Sequence, residues 1–159
     1  MLPAEAVVVR PLPTGVFGTR LYFLIFTYDQ IYGQFRLNAG SSDFIVGFLS
    51  FAEDKLVVFN RNSIHLISGG ENPRTATSQV ITGEVGCVAR NTITQIGNNI
   101  MFLSDNGLYS VSFQDLYNLR GDDLPVSTNI ENTVSRINKE HVENALGVYF
   151  ENKYYLAVP

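Results

Sequence analysis

Side chains that could do acid–base, nucleophilic or metal chemistry are few in this chain. The two histidines are His65 and His141, and the single cysteine is Cys87. The histidines do not stand at the spacing of zinc ligands, and one cysteine provides no thiolate cluster. Cys87 lies between Gly86 and Val88, where we expect a small, buried, apolar residue. These residues indicate no metal site, no cofactor and no activated nucleophile.

Carboxylate pairs are the other candidates, because two acids can share the work of glycoside hydrolysis. The pairs are Glu53 with Asp54 and Asp122 with Asp123. Both stand in predicted turns, where acids are usually solvated. The chain also lacks a Gly-rich phosphate loop and a Gly-x-Ser-x-Gly elbow. We therefore predict that the protein is not an enzyme, and a glycoside hydrolase fragment is the less favoured alternative.

The elements that would have to position such residues are hairpins that repeat along the chain. Residues 56–67 align without a gap on residues 100–111, 44 positions later. Each stretch is an apolar run, a polar four-residue turn and an alternating run, which is the pattern of a β-hairpin. Weaker copies begin at Leu21 and Tyr154. A strand repeat of about 40–50 residues is typical of β-propeller blades.

The predicted fold is therefore mainly all-β, with β-propeller-like blades of antiparallel hairpins and a short helical insert near residues 128–145. Ile130, Val134 and Ile137 indicate the insert, because they stand at i, i+4 and i+7 and form one apolar stripe. A closed propeller needs at least four blades of about 40 residues. This chain holds between three and four, so we expect a fragment, or blades that complete a ring with other chains.

The chain length of 159 residues predicts a single β-rich domain, residues 1–159. Pro3, Pro11 and Pro13 interrupt residues 1–15. Because proline cannot donate to a strand ladder, this segment is predicted to be an edge strand or an N-terminal arm.

The predicted contact surfaces are the hairpin tips and the longest loop, since exposed loops carry most binding contacts. The tips are residues 60–63 and 105–107, and the loop is residues 69–78. Asn-Gly in the second tip is a strong hairpin signal, because both residues accept positive φ. The candidate contact residues are Asn60, Arg61, Asn62, Gly69, Gly70, Asp105, Asn106 and Gly107.

Composition limits the partners of the chain. Charged residues are 16% of the total, against about 25% in typical domains, which suggests that partners cover part of the surface. The net charge of −4 comes from residues 101–159, with eight acidic and four basic side chains. Without a basic stripe, DNA is expected to pass without specific binding. The longest apolar run, residues 21–26, is far below the ~20 residues of a membrane helix, so no membrane insertion is expected.

The order of segments along the chain is hairpin, Gly-Cys turn, hairpin, helix, hairpin. These segments are residues 55–66, 86–93, 97–110, 136–138 and 147–159. In this order, residues 45–159 resemble propeller-type structural proteins of tailed bacteriophages, of the nozzle or tail-tube kind. Members of that family are usually several times longer, so the resemblance favours a fragment, a split gene or a reduced version.

The resemblance implies a structural viral protein of the virion, without catalytic residues, made in the cytoplasm of the bacterial host. Such proteins are homo-oligomers, often hexameric rings, in the tail or head–tail region. They contact other tail or connector proteins and surround the genome DNA during ejection. The alternative is a receptor- or glycan-binding propeller module of a tail fibre. That module would need exposed aromatic side chains, for which the candidates are Tyr28, Tyr32, Tyr109 and Tyr117.

Overall fold

The residues described by the computed structural model of the chain are 5–10, 19–25, 34–37, 42–51, 54–69, 76–113, 119–121 and 124–159. Strand residues far outnumber helical residues in the described ranges, so the mainly β prediction is confirmed. All the strand pairs are antiparallel. Among the described residues, the sheets do not close into a barrel or a propeller.

The strands form four antiparallel sheets within these ranges. Sheet 1 contains β1 (Glu5–Arg10), β2 (Thr19–Ile25) and β3 (Gln34–Leu37). Sheet 2 contains β4 (Ile45–Ser50), β5 (Lys55–Asn60), β6 (Ile64–Ser68) and β7 (Thr77–Thr82). Sheet 3 contains β8 (Thr94–Ile96), β9 (Asn99–Ser104), β10 (Gly107–Phe113) and β11 (Leu119–Gly121). The last sheet is a hairpin of β12 (Leu146–Phe150) and β13 (Lys153–Ala157).

Each strand in these sheets pairs with its neighbour in sequence. The orders are β1-β2-β3, β4-β5-β6-β7, β8-β9-β10-β11 and β12-β13. Sheets in which each strand pairs with the next one in sequence are called meanders. A two-residue hairpin loop favours this order, because it places the following strand antiparallel to the one before it. Among the described strands, β1 lies at the edge of sheet 1, while residues 1–4 and 11–15 of the predicted edge strand or N-terminal arm lie outside the described residues.

Sheets 2 and 3 pack face to face around one apolar cluster. β5 contributes Val57 and Phe59, and β9 contributes Ile100 and Phe102; all four are 1% exposed or less. The ring centroids of Phe59 and Phe102 lie 5.2 Å apart. Burial of one such side chain stabilises the fold by about 1.5–3 kcal/mol, so this cluster holds the two sheets together.

A second cluster lies on the opposite face of sheet 3, against the β12–β13 hairpin. Its members, with two residues packed against them, are Val88, Ala89, Leu103, Val142, Ala145, Ile137 and Leu156. Leu103 follows Phe102 in β9, and successive strand residues point to opposite faces. The hydroxyl of Tyr154 also donates a 2.7 Å hydrogen bond to the carbonyl oxygen of Thr92. The hairpin is thus a fixed third layer of the stack.

The helical insert predicted near residues 128–145 is present as separate turns. They are the 3₁₀ turn Thr128–Ile130, the α-helix α1 (Glu131–Val134) and the 3₁₀ turn Val142–Asn144. The predicted apolar stripe is only partly buried: Ile137 packs on the second cluster, while Ile130 is 56% exposed. Single turns are set by tertiary contacts, because isolated helices below about 12 residues are marginal. No helix in the described ranges has the length and apolar content to span a bilayer.

One predicted loop contains the start of a strand, and one strand was not predicted from the sequence. β7 begins at Thr77, inside the predicted loop 69–78, of which residues 70–75 lie outside the described residues. β11 (Leu119–Gly121) lies in a stretch whose hydrophobic pattern did not indicate a strand. It pairs with β10 through the main chain, and main-chain pairing does not require side-chain alternation.

Candidate functional site

The two hairpin tips that we predicted as contact loops bind each other. Arg61, Asn62 and Ser63 form the loop between β5 and β6, and Asp105 and Asn106 form the loop between β9 and β10. The Arg61 guanidinium donates two hydrogen bonds to the Asp105 carboxylate, Nη1 to Oδ2 at 2.5 Å and Nη2 to Oδ1 at 2.8 Å. The two residues hold the same position in the repeat, 44 residues apart. The repeat therefore joins its own tips through a bidentate ion pair.

This ion pair changes the acid–base properties of both partners. The hydrogen bond from Arg61 lowers the pKa of the Asp105 carboxyl below its usual value, and the same bond raises the pKa of Arg61. The Arg61 side chain is 29% exposed and the Asp105 side chain is 44% exposed, so water screens their attraction. The pair is therefore expected to contribute at most about 1 kcal/mol to the free energy of unfolding.

The first tip is also held by Asp43, which lies just before β4. Its carboxylate accepts hydrogen bonds from the backbone N–H of Asn62 at 2.9 Å and from the Ser63 hydroxyl at 2.7 Å. The Ser63 oxygen also lies 3.0 Å from the Asn60 side-chain Nδ2 and 3.2 Å from His65 Nε2. Polar side chains with little exposure thus meet inside the hairpin, where each hydrogen bond is shielded from water.

Ser63, His65 and Asp43 are the residue types of a catalytic triad, but their hydrogen bonds run in another order. In a triad the carboxylate orients the histidine, and the histidine accepts the serine proton. Here the Ser63 hydroxyl donates to Asp43, so its oxygen accepts from the histidine Nε2–H. Ser63 is 1% exposed and His65 is 3% exposed, which closes the group to a substrate. The network holds the hairpin and does not activate a nucleophile.

Burial also sets the charge of His65. It lowers the pKa of the imidazole, and the nearby Asp43 carboxylate opposes this only in part. The histidine is therefore neutral at pH 7. Beside it, the Asn60 side-chain Oδ1 is buried and has no hydrogen-bond partner among the described residues. That amide oxygen is a local cost to stability, because a buried acceptor has lost its water.

The second tip borders a cleft of about 460 Å³. Its polar lining outside the tip consists of Ser127, Thr128, Glu131, Ser135 and Lys139. The backbone N–H of Leu108 donates a 3.0 Å hydrogen bond to Ser127 Oγ, and Lys139 Nζ donates to the carbonyl oxygen of Asp105. These groups hold residues 124–139 over the start of β10. No three His, Cys, Asp or Glu side chains in the described ranges are placed to hold a metal ion.

The structure separates the candidate contact residues into two groups. Asn62 and Asn106, at the corners of the loops, are exposed. Asn60 is 1% exposed and Gly107 is buried, so the prediction that the whole tips are exposed is wrong for these two. The reason is that other segments cover them: the Cys87 N–H donates to the Asn60 carbonyl oxygen at 2.8 Å. A role of the tips in binding a partner stays a prediction.

Two of the three glycines in the predicted contact set, Gly69 and Gly107, are described by the structure. Gly69 is half-buried at φ 80°, and its N–H donates to the Asp54 carbonyl oxygen at 3.1 Å. Gly70 lies outside the described residues. Gly107 alone has positive φ (138°) in the second tip, so the expectation of positive φ at Asn106 is wrong. A Cβ at Gly107 would also collide with Ser127 Oγ.

The other residues singled out for chemistry show no catalytic arrangement where the structure describes them. Cys87 is fully buried, as predicted, and burial raises the pKa of its thiol to about 11. Its Sγ–H donates to the Ala89 carbonyl oxygen at 3.2 Å. His141 is exposed. Asp54 is exposed and pairs with Lys55 at 2.9 Å. The remaining acids of the two pairs lie outside the described residues; they are Glu53, Asp122 and Asp123.

Of the four tyrosines predicted for a glycan-binding surface, the structure describes only Tyr109. Tyr109 is 6% exposed, and its ring stacks on Phe102 with a centroid distance of 6.3 Å. The other three candidates lie outside the described residues; they are Tyr28, Tyr32 and Tyr117. Tyr109 is therefore not available to a glycan, and the glycan-binding alternative stays a prediction.

The residue that sequence reasoning missed is Asp43. Its partners Asn62 and Ser63 stand 19 and 20 positions later in the chain, so no local motif announces the contact. Comparison with protein-family models gave no match, and comparison with curated proteins gave none either.

Proposed function

We propose that this protein is a structural subunit of a tailed-bacteriophage virion, that it assembles as a ring in the tail nozzle, the tail tube or the head–tail region, and that it has no catalytic activity. The observation that carries the proposal is the stack of layers. Two four-stranded meanders with the same strand order pack face to face, and a hairpin lies on the far side. Propeller blades are meanders of this kind. The resemblance of residues 45–159 to phage tail proteins supports the location.

The hydrogen bonds at the tips favour a scaffold over a catalyst. Arg61, Asp105 and Lys139 hold the tips to each other and to the segment beside them. Asp43 and Ser63 close the first tip. Polar side chains in a satisfied internal hydrogen-bond network stiffen a structure. Stiffness suits a ring that must keep its channel open while DNA leaves the particle.

The surface of the described residues also favours assembly. Exposed large apolar side chains concentrate between positions 124 and 158, where Leu124 is 72% exposed and Phe150 is 60% exposed. Large exposed apolar patches on soluble proteins mark interaction sites. A virion subunit covers such side chains with its neighbours. The low charged fraction of 16% agrees with a surface that is partly covered.

We propose further that the acidic surface of the same region faces the DNA channel. The exposed carboxylates there belong to Glu131, Glu140, Glu143 and Glu151. Carboxylates repel phosphates, so DNA would pass without being held. A ring structure with these residues on the outer rim would contradict this part of the proposal.

The test is the native mass of the purified chain, measured by light scattering over a range of concentrations. We expect a discrete multiple of 17.7 kDa, near six or twelve copies, and rings with a central opening in electron micrographs. A particle of one chain at every concentration would contradict the ring and would favour a binding module.

A further inference from the structure

The outer face of the β12–β13 hairpin is apolar and uncovered. Residues directly opposite each other in the two strands are Leu146 with Ala157, Val148 with Tyr155, and Phe150 with Lys153. Opposite residues of an antiparallel pair point to the same face, so these six share it. Four of them are large apolar residues with 48–60% exposure: Leu146, Val148, Phe150 and Tyr155. Lys153 is the one charged residue of this face.

The inner face of the same hairpin packs on the rest of the chain through Tyr154 and Leu156, although Tyr149 on this face is 39% exposed. Leu156 packs against the second cluster, and Tyr154 bonds to the Thr92 carbonyl oxygen. Sheet 3 differs from the hairpin because it is apolar and buried on both faces, through Phe102 on one side and Leu103 on the other.

The stack has a direction that can be read from equivalent strands. β5, β9 and β13 are the second strands of their sheets, and their third and fifth residues point to one face. In β5 these residues are Val57 and Phe59, which pack on sheet 3. In β9 the fifth residue is Leu103, which packs toward the hairpin. Each time, the third and fifth positions face the layer that follows in the chain.

In β13 the third and fifth positions are Tyr155 and Ala157, on the uncovered face. The face therefore occupies the position that the other layers use to contact the next sheet. The residues that receive such a contact are those at second and fourth positions, Ile100 and Phe102 in β9 and Leu156 in β13. In the hairpin this receiving side is already used by sheet 3. If two hairpins packed with their outer faces together, third and fifth positions would contact third and fifth positions. Between the layers of one chain, these positions contact second and fourth positions instead.

We propose that the outer face of the β12–β13 hairpin binds a sheet of a second copy of this chain, head to tail. The proposal rests on the ring assembly proposed above and names the surface that makes it. A sheet is the fitting occupant because flat apolar faces pack about 10 Å apart with their side chains interdigitated. A head-to-tail contact between unlike surfaces builds a ring when the rotation closes.

The experiment compares two aspartate variants of similar exposure. Val148 is 58% exposed on the hairpin face, and Val80 is 54% exposed on β7, outside positions 124–158. Neither substitution alters a buried site, and circular dichroism checks the fold. We expect Val148→Asp to weaken assembly at least ~100-fold, because the contact would bury an unpaired carboxylate, and Val80→Asp to leave the native mass unchanged.

The outcomes separate this inference from the ring proposal. A wild-type multimer that Val148→Asp leaves intact would overturn this interface and keep the ring. A wild-type monomer at every concentration would overturn both.

A second measurement tests the interface without adding a charge. p-Benzoylphenylalanine at position 148, photoactivated in the wild-type background, is expected to link two chains, with the cross-linked peptide outside residues 146–157. A link between two hairpins, or a link confined to one chain, would overturn the head-to-tail contact.

Discussion

The two hairpin tips are copies of one pattern, yet they lie in different surroundings. The first tip, with Arg61 and Asn62 at its corners, is closed from inside by the Asp43 carboxylate. The second tip, with Asp105 and Asn106 at its corners, borders an open cleft of about 460 Å³. The same hairpin tip therefore has a buried acid beneath it in one sheet and a cleft beside it in the next.

The difference comes from the segments that precede and follow each hairpin. Residues just before β4 place Asp43 under the first tip, whereas the second tip is covered from above by residues 124–139. The repeated sequence pattern thus gives both copies the same strand geometry, but it does not determine which segments surround each copy. The single direct link between the corners is the Arg61–Asp105 ion pair.

Removal of the carboxylate from each tip should give the largest contrast. Asp43→Ala leaves the Ser63 hydroxyl and the Asn62 N–H without this acceptor inside the protein, so we expect a loss of about 1–3 kcal/mol in the free energy of unfolding. Asp105→Ala removes a carboxylate that is 44% exposed, and we expect a loss below about 1 kcal/mol. Urea denaturation of both variants measures the contrast. Equal losses would mean that the two tips are equally buried in solution.

A smaller contrast is expected from pH, through the histidine of the first tip. Burial lowers the pKa of His65, so the unfolded chain takes up this proton first as the pH falls below about 6.5. Stability should therefore decrease from pH 8 to pH 5, until the pH passes below the folded pKa. His65→Gln should reduce the decrease, while His141→Gln, at an exposed site, should keep it. Urea midpoints at several pH values give the slopes, and parallel slopes for all three proteins would show that His65 is not protected.

The smallest effect is expected from the link between the tips. A double-mutant cycle with Arg61→Ala and Asp105→Ala should give a coupling energy of about 0.2–1 kcal/mol at pH 7. Because the pKa of Asp105 is lowered in the folded state, the coupling is present above the unfolded pKa and is lost as the pH falls through the folded value. It should also shrink in about 1 M salt, where the screening length is near 3 Å. A coupling that is insensitive to both salt and acid would contradict an exposed ion pair.

The hairpins at both tips could be predicted because their cause is local. An apolar run, a polar turn and an alternating run specify a strand, a reversal and a second strand within about a dozen residues. The helical insert was predicted with the correct position, but its stripe of Ile130, Val134 and Ile137 did not predict three short turns. Short segments take the backbone form that their tertiary neighbours allow.

The exposure of the tips could not be predicted in the same way. Asn60 and Gly107 have the residue types of surface turns, yet segments around Cys87 and Ser127 cover them. β11 pairs by main-chain hydrogen bonds, which leave little mark on the side-chain pattern. Both features depend on residues distant in the chain.

The sequence by itself determined the strand pattern, the positions of the hairpin tips and the burial of Cys87, since hydrophobic alternation and turn residues act over a few positions. Only the tertiary structure decided that Arg61 meets Asp105, that Asp43 closes the first tip, and that one face of the β12–β13 hairpin is left open. These contacts join residues 19 to 44 positions apart, or depend on which layer is covered. Such contacts follow from how the sheets stack, and the stacking is set by the apolar faces of whole sheets acting together.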